Sequence, residues 1–555
     1  MRPIQILTPL PMKLLHLPSK SITGAALVIS ATTLISRFMG ILRDRVLAHQ
    51  YSTGQIIDAY YAAFKIPDLI YNLLIVGALT AGFIPTFTKL LEKDKTKAWQ
   101  LASNILNIIG ISLIVLCTVG MFFSPEISSI IAPGFNESGK ALVSTFTKII
   151  FLSPIFLGIS MVMGGILQSL RHFFIYSIAP LFYNLGIILG ATVLVPLLHS
   201  STGLAWGVVL GAFMHCSIQV YGALRSGFRW SFYLNPKDEA TRTVGRLMIP
   251  RTLGLAITQF NSIIITVIAS TLPMGSIAVY NYAGNIQAVP AGLIGIPFAL
   301  AVFPLLSINI ATNNKTEFNK NISSTLRQIL FLIIPLSIVF LLLRAQIVRV
   351  ILGSGRFNWT DTINTANALA FFSFGLFAQS LLPVLARAFY ALSDTMTPFV
   401  IGIVSELISI IFAILAMQPT TKSLHWFYGI NGLALASAIG VILNVLALFI
   451  FLRRRTGDLE DQKIISLIYK TVLAGIGMGI TIQLFEQVMS KIVDMERFWG
   501  VFMHGLFSGL AGLCVYVIIC YTLQVEEVAH IASSMKKKWL RIRNVPEILP
   551  DHESV

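Results

Sequence analysis

Long apolar stretches separated by short polar gaps run through almost the whole chain. A helix that crosses the hydrocarbon of a bilayer needs about 20 mostly apolar residues, and about fourteen stretches meet that requirement. They are 22–48, 56–88, 101–124, 142–169, 175–198, 203–222, 246–271, 277–311, 324–352, 362–391, 397–417, 428–452, 464–489 and 498–523. The pattern predicts an all-α polytopic membrane protein. Inside a bilayer every backbone polar group must be paired within its own segment, which helices achieve.

The gaps carry an orientation signal. Lys89, Lys93, Lys95 and Lys97 follow the second stretch, and Arg171 follows the fourth. Arg225, Arg229, Lys237 and Arg242 follow the sixth, then Lys315 and Lys320 the eighth, with Arg387 at the end of the tenth. Arg453, Arg454 and Arg455 follow the twelfth, and Lys536, Lys537, Lys538, Arg541 and Arg543 the fourteenth. The gaps 49–55 and 272–276 hold no Lys or Arg, while Arg356, Lys422, Lys491 and Arg497 break the alternation. Basic loops stay cytoplasmic, so both termini are expected in the cytoplasm. The segment Val525–Arg543 reads either as an amphipathic helix on the inner membrane face or as a solvated basic tail.

The two halves echo one another about 220 residues apart, as parallel-repeat transporters do. Gly54-x-x-x-Asp58-Ala59-Tyr60-Tyr61-Ala62 resembles Gly275-x-x-x-Val279-Tyr280-Asn281-Tyr282-Ala283. Arg171-x-Phe173-Phe174 resembles Arg387-x-Phe389-Tyr390. An offset of six spans preserves orientation, so two six-helix lobes in parallel repeat are expected to face a central cavity, with two C-terminal helices outside the repeat. The expected organisation is a cytoplasmic segment 1–20, an N-lobe 21–223, a cytoplasmic linker 224–245, a C-lobe 246–455, a helix pair 464–523 and a basic cytoplasmic tail 524–555.

Composition agrees. Of 555 residues, 55% are hydrophobic and 12% charged, against roughly 25% charged in soluble domains. The net charge of +16 follows the loop pattern and does not point to nucleic acid. Cys117, Cys216, Cys514 and Cys520 lie within apolar stretches without a CxxC pair, which disfavours zinc and structural disulfides. No Walker A, HExxH or GxSxG motif is present, so no enzymatic activity and no cofactor is expected.

The informative residues are charges where lipid should be. An ionisable group in a span costs about 2.5–3.5 kcal/mol on insertion scales and so faces a cavity or a partner. The first stretch holds Arg37, Arg43, Asp44 and Arg45, and the second Asp58, Lys65 and Asp68 around Pro67. On one reading Arg37 and Arg43 line a cavity for a phosphate-bearing head group, since guanidinium forks fit phosphate oxygens. On another, Arg43, Asp44 and Asp58 neutralise one another and lock the two spans together; on a third, Arg43 or Arg45 snorkels to the outer surface. Arg251, in the seventh stretch, either faces the same cavity or meets inner-leaflet phosphates. In the eighth, Asn281, Asn285 and Gln287 either line the cavity, with Asn285 a substrate-binding candidate, or hydrogen-bond between helices. Asp394, before Thr397-Pro398, reads as a helix cap and as a low-ranking cation candidate.

The motifs Ser36-Arg37-x-x-Gly40-x-x-Arg43-Asp44, Asp58-Ala59-Tyr60-x-x-Ala63-Phe64-Lys65-x-Pro67, Gly77-Ala78-x-x-x-x-Phe83-x-Pro85 and Arg387-x-Phe389-Tyr390-Ala391-x-x-Asp394-Thr395-x-Thr397-Pro398 together resemble the MurJ (MviN) family of lipid II flippases in the MOP exporter superfamily. The likeness covers roughly residues 20–525. It implies a V-shaped cavity, a groove for a polyprenyl tail beside the last two helices, and lipid II, an undecaprenyl-diphosphate muropeptide, as the lipid carried to the outer leaflet of the bacterial cytoplasmic membrane without ATP hydrolysis. Membrane lipids and the cell-wall synthesis machinery are the partners it implies. The chain departs from the family at Tyr71 and Asn72, near Val76, and at Asn285, positions where the family places charged residues. The alternatives are an exporter of another polyprenyl-linked oligosaccharide or of a cationic drug, and a non-transporting scaffold for envelope assembly.

Overall fold

The computed structural model describes residues 22–76, 82–418 and 428–529; for 22–30, 75–76, 249–251 and 253–255 it describes the backbone alone. The segment 1–20 and the basic residues Lys536–Arg543 thus lie outside the described residues, as does the side chain of Arg251.

The described chain is helical throughout. It opens with α1 (Ile22–Tyr51), α2 (Gln55–Ala63), α3 (Lys65–Tyr71), a π-helical turn at Asn72–Val76 and α4 (Ile84–Lys93). Next come α5 (Lys95–Phe122), α6 (Ser124–Ile131), α7 (Glu137–Ile150), α8 (Ser153–Ser169) and α9 (Phe173–Leu189). A second π-helical turn (Gly190–Leu194) leads to α10 (Val195–Leu198), α11 (Thr202–Arg225), α12 (Glu239–Ser270) and α13 (Ser276–Ala311). The rest is α14 (Lys315–Leu342), α15 (Arg344–Leu352), α16 (Trp359–Ser373), α17 (Leu376–Ala391), α18 (Met396–Leu415), α19 (Ile430–Thr456), α20 (Asp461–Met489) and α21 (Phe498–Thr522).

Among the described residues, ten helical stretches are long and apolar enough to cross a membrane: α5, 137–169, 173–198, α11, α13, α14, α18, α19, α20 and α21. The α16–α17 pair, bent by 44°, makes up to eleven. The expected stretches outside that set are α1, the broken segment 55–93 and α12, parts of α1 and α12 being described by their backbone alone.

The helix starts follow from local sequence. Asp94 accepts from the Thr96 and Lys97 amides (2.9 and 3.2 Å) and caps α5. Asn136 caps α7 through Gly139 N (2.9 Å), and Asn314 caps α14 through Glu317 N (3.1 Å). Asp394 caps α18, accepting from the Thr397 amide (3.0 Å) and hydroxyl (2.7 Å), and it also pairs with Arg455. Such caps satisfy amides that the first helical turn leaves unpaired.

Contacts gather into two compact units of interleaved segments. The first comprises Met1–Val289, Val348–Phe372 and Phe399–Val441. Its closest packing is of α11 against α9 and the π-helical turn that follows it, where small residues let backbones meet. A Cβ on Gly207 would lie 2.5 Å from Gly190 Cα, and one on Gly211 would lie 2.4 Å from the Tyr183 carbonyl. Within this unit Asn104 and Asn107 of α5 hold the 229–238 connection, Asn104 through Asn235 (2.8 Å each way) and Asn107 through Ser231 and Tyr233 (3.1 and 3.0 Å). The second unit comprises Pro290–Ile347, Ser373–Pro398 and Ile442–Val555. There α14 packs on α17 and α20, and α20 on α21. Asn319 of α14 donates to the carbonyls of Thr456 and Asp458 (3.0 Å each), holding the α19–α20 connection.

Partial burial raises the Asp394 carboxyl, but the Thr397 hydrogen bonds and the Arg455 guanidinium outweigh it, and its pKa lies below the ordinary carboxylate value. A carboxyl with a depressed folded-state pKa stabilises the fold above its unfolded pKa and loses that contribution as pH falls through the folded value. Replacing Asp394 with Ala is expected to cost about 1 kcal/mol at neutral pH. The difference in melting temperature from the unmodified protein, read in detergent micelles, should close below pH 4, about the unperturbed Asp value. Gly207→Leu forces a side chain into backbone and is expected to cost about 3 kcal/mol, the upper range for overpacking, read as a lower melting temperature and reduced membrane yield.

Candidate functional site

A cavity of about 410 Å³ opens within the first unit. Its walls come from α1 (Arg43), α2 and α3 (Tyr60, Tyr61, Lys65, Asp68, Tyr71), α8 (Leu157), α9 (Pro180, Tyr183), α11 (His215) and α13 (Asn281, Asn285). The break between Ala63 and Lys65 makes this possible. Pro67 sits in the first turn of α3, where its missing amide is harmless, and the redirected chain turns Lys65 and Asp68 to the cavity. Pro180, inside α9, lines the opposite side.

Arg43 and Asp44 form the ionic centre. Arg43 donates from Nε (2.9 Å) and Nη2 (2.7 Å) to Asp44 Oδ1, and from Nη1 to Asn184 Oδ1 (3.2 Å). Asn285 Nδ2 donates to the second carboxylate oxygen, Asp44 Oδ2 (2.9 Å). Asp44 is therefore held by α1 itself and by α13, and Arg43 also reaches α9. The Asp44 side chain is 8% exposed and that of Arg43 22%. A charge so placed is tolerated only when paired and hydrogen-bonded, and one edge of the guanidinium still borders the cavity.

Arg37 lies one step away. It lines a second cavity of about 190 Å³, with Asp44, that shares Arg43 and Asn285 with the first. Its Nη1 reaches the Ala288 carbonyl at 3.4 Å, and its buried Nε has no partner. Arg37 thus keeps donors uncommitted, which suits a phosphate or another oxyanion. Arg45 is engaged elsewhere, donating to the carbonyls of Val350 (2.5 Å) and Ile351 (3.0 Å) at the end of α15.

Asp58 stands apart from the Arg43–Asp44 pair. It accepts from the amides of Gly275 (2.6 Å) and Ala278 (2.8 Å), tying α2 to the start of α13. Gly275 has φ +94°, and a Cβ there would lie 2.1 Å from the Thr53 carbonyl, so glycine is required at this junction. Asp394 is the cap described above. Among the described residues no group of three or more His, Cys, Asp or Glu could hold a metal ion.

The cavity also contains residues that the sequence pattern did not single out as a site. Lys65 donates to Ser262 Oγ (3.0 Å) on α12. His215 pairs with Ser160 Oγ (2.7 Å), joining α11 to α8. Asn184, four residues after Pro180, completes the Arg43 cradle. Lys65 and Asp68 gave a signal, as charges beside a proline in a span. The tyrosines gave none, because phenols are common at membrane interfaces.

Comparison with known proteins follows the same line. The sequence profile of the family described as lipid II flippase MurJ matches residues 47–503. A probable lipid II flippase MurJ of Vibrio cholerae is 29% identical over 532 residues, covering 92% of this chain and 97% of the relative. The lipid II flippase MurJ of Burkholderia cenocepacia is 28% identical, covering 78% of this chain and 84% of its own. Among solved structures, a lipid II flippase MurJ in an inward closed conformation shares the fold with a TM-score of 0.73 at 24% identity, covering 89% of this chain and 98% of its own. An inward-facing multidrug resistance MATE transporter of the MOP superfamily shares it at 0.64 and 16% identity, covering 79% and 99%. The family is one of transporters rather than enzymes, and this polytopic membrane protein belongs to the MurJ family of lipid II flippases.

Proposed function

We propose that this chain carries lipid II from the inner to the outer leaflet of the bacterial cytoplasmic membrane by alternating access. The observation that carries the reading is the polar cavity among apolar helices, with Arg43 on its wall and Arg37 in the adjoining one. An undecaprenyl diphosphate presents oxyanions that guanidinium groups recognise in a site shielded from bulk water. Arg251 of α12 would join them, replacing charge that the family places at Asn285. Asn285 itself would contact the head group while holding Asp44. The α20–α21 pair would receive the polyprenyl tail, and the wall-synthesis machinery would take up the exported head group.

The reading assigns fourteen spans, adding α1, 55–93 and α12 to the eleven recognised by length and composition, with both termini cytoplasmic. A parallel repeat, N-lobe 21–223 against C-lobe 246–455, is supported by matching elements. The helix α5 (Lys95–Phe122) and α14 (Lys315–Leu342) have equal lengths at an offset of 220, and each is followed by a short helix, α6 and α15. In each a helix-borne asparagine, Asn104 or Asn319, holds the backbone of a later connection. On this topology the linker 224–245 and the tail 524–555 are cytoplasmic. Fusions of alkaline phosphatase after residue 274 should be active and those after 236 inactive; the opposite pattern refutes the orientation.

The functional test is rescue of a strain depleted of its own lipid II flippase. The unmodified chain should restore growth. Arg37→Ala and Arg43→Ala, at equal membrane levels, should not, because removing one partner of a buried charged contact weakens binding by about 30-fold or more. Rescue by both variants refutes the arginine mechanism, and failure of the unmodified chain refutes lipid II as its substrate.

A further inference from the structure

The cations of the main cavity already have partners behind its wall: Arg43 in Asp44, and Lys65 in the Ser262 hydroxyl, with Asp68 also lining the cavity. The uncommitted groups are phenols. Tyr60, Tyr61, Tyr71 and Tyr183 all line the cavity, from α2, α3 and α9. Tyr61 Oη is buried without a hydrogen-bond partner. The rings are locked by their neighbours: Tyr60 stands edge-on to Phe64 (4.9 Å between centroids) and to Tyr61 (5.5 Å), and Tyr61 edge-on to Tyr282 (5.8 Å). A buried hydroxyl without a partner is costly, and rigid aromatic walls with a few polar tips are how a pocket recognises a flat, hydroxyl-rich ligand.

We infer that Tyr61, Tyr71 and Tyr183, with Tyr60 buried behind them, form a carbohydrate-binding wall that takes the sugar rings of the substrate, ring faces against C–H faces and phenol hydroxyls against sugar hydroxyl and amide groups. The inference rests on the proposed lipid II reading and adds to it a division of labour. The arginines hold the diphosphate, and the phenols measure whether a glycan is attached to it. A site built to hydrogen-bond a substrate discriminates strongly against an analogue that lacks those groups.

The test compares two probes on the purified full-length protein in nanodiscs: lipid II and undecaprenyl diphosphate, which carries no sugar. The unmodified protein should bind lipid II more tightly. Tyr61→Phe and Tyr183→Phe should each narrow that preference by about 3- to 10-fold, the worth of one neutral hydrogen bond, and leave undecaprenyl diphosphate binding unchanged. The melting temperature without ligand should not fall for Tyr61→Phe, since its hydroxyl has no partner to lose. A preference unaltered in both variants, with lipid II still bound, overturns the phenol wall alone. An unmodified protein that binds neither probe overturns the lipid II reading and the wall with it.

Discussion

A guanidinium in a hydrocarbon slab persists only if something nearby answers its charge. In this protein the answer to Arg43 is Asp44, the next residue along the chain, gripped by Arg43 through one oxygen and by Asn285 through the other. The pair neutralises itself within α1, so it does not require a second charged helix. What the neighbours supply is amides: Asn184 from α9 and Asn285 from α13. Charge is thereby fixed at the cavity wall at the smallest cost in desolvated ions. The edge of Arg43 and the loosely held Arg37 remain available to an anion.

The rest of the first unit shapes the space around that pair. The break between α2 and α3 turns Lys65 and Asp68 inward, and Pro180 lies inside α9 on the opposite wall. The glycines of α9 and α11 bring those two helices into backbone contact. Asp58 fixes the other end of the wall by holding the first amides of α13. A carboxylate that looks ionic in sequence is thus used as a long-range helix cap. Its two acceptor oxygens each meet an amide that the first turn of α13 would otherwise leave unpaired.

Much of the architecture was legible because the bilayer imposes one simple rule, a long apolar helix per crossing. The apolar stretches, the cap at Asp394 and the family likeness in α1 to α4 all followed from residues read in order, whereas the caps at Asp94, Asn136 and Asn314 were found in the structure. The stretch 55–93 is broken between α2 and α3 and again at the π-helical turn, so a rule of one unbroken apolar helix does not reveal it, while the arginines of α1 and α12 stand out in sequence as charges within apolar stretches.

The sequence by itself determined that this is a helical membrane protein with buried cations, because hydropathy and charge are properties of residues taken in order. It left open which acid answers which base, and only the tertiary structure decided that. Asp44 and Asp58 were equivalent candidates on paper, fourteen residues apart. Folding brought Asn184 and Asn285 to the first and the Gly275 and Ala278 amides to the second. The tyrosine wall likewise exists only where α2, α3 and α9 converge, since a phenol's partner, or its lack of one, depends on contacts more than a hundred residues apart in the chain.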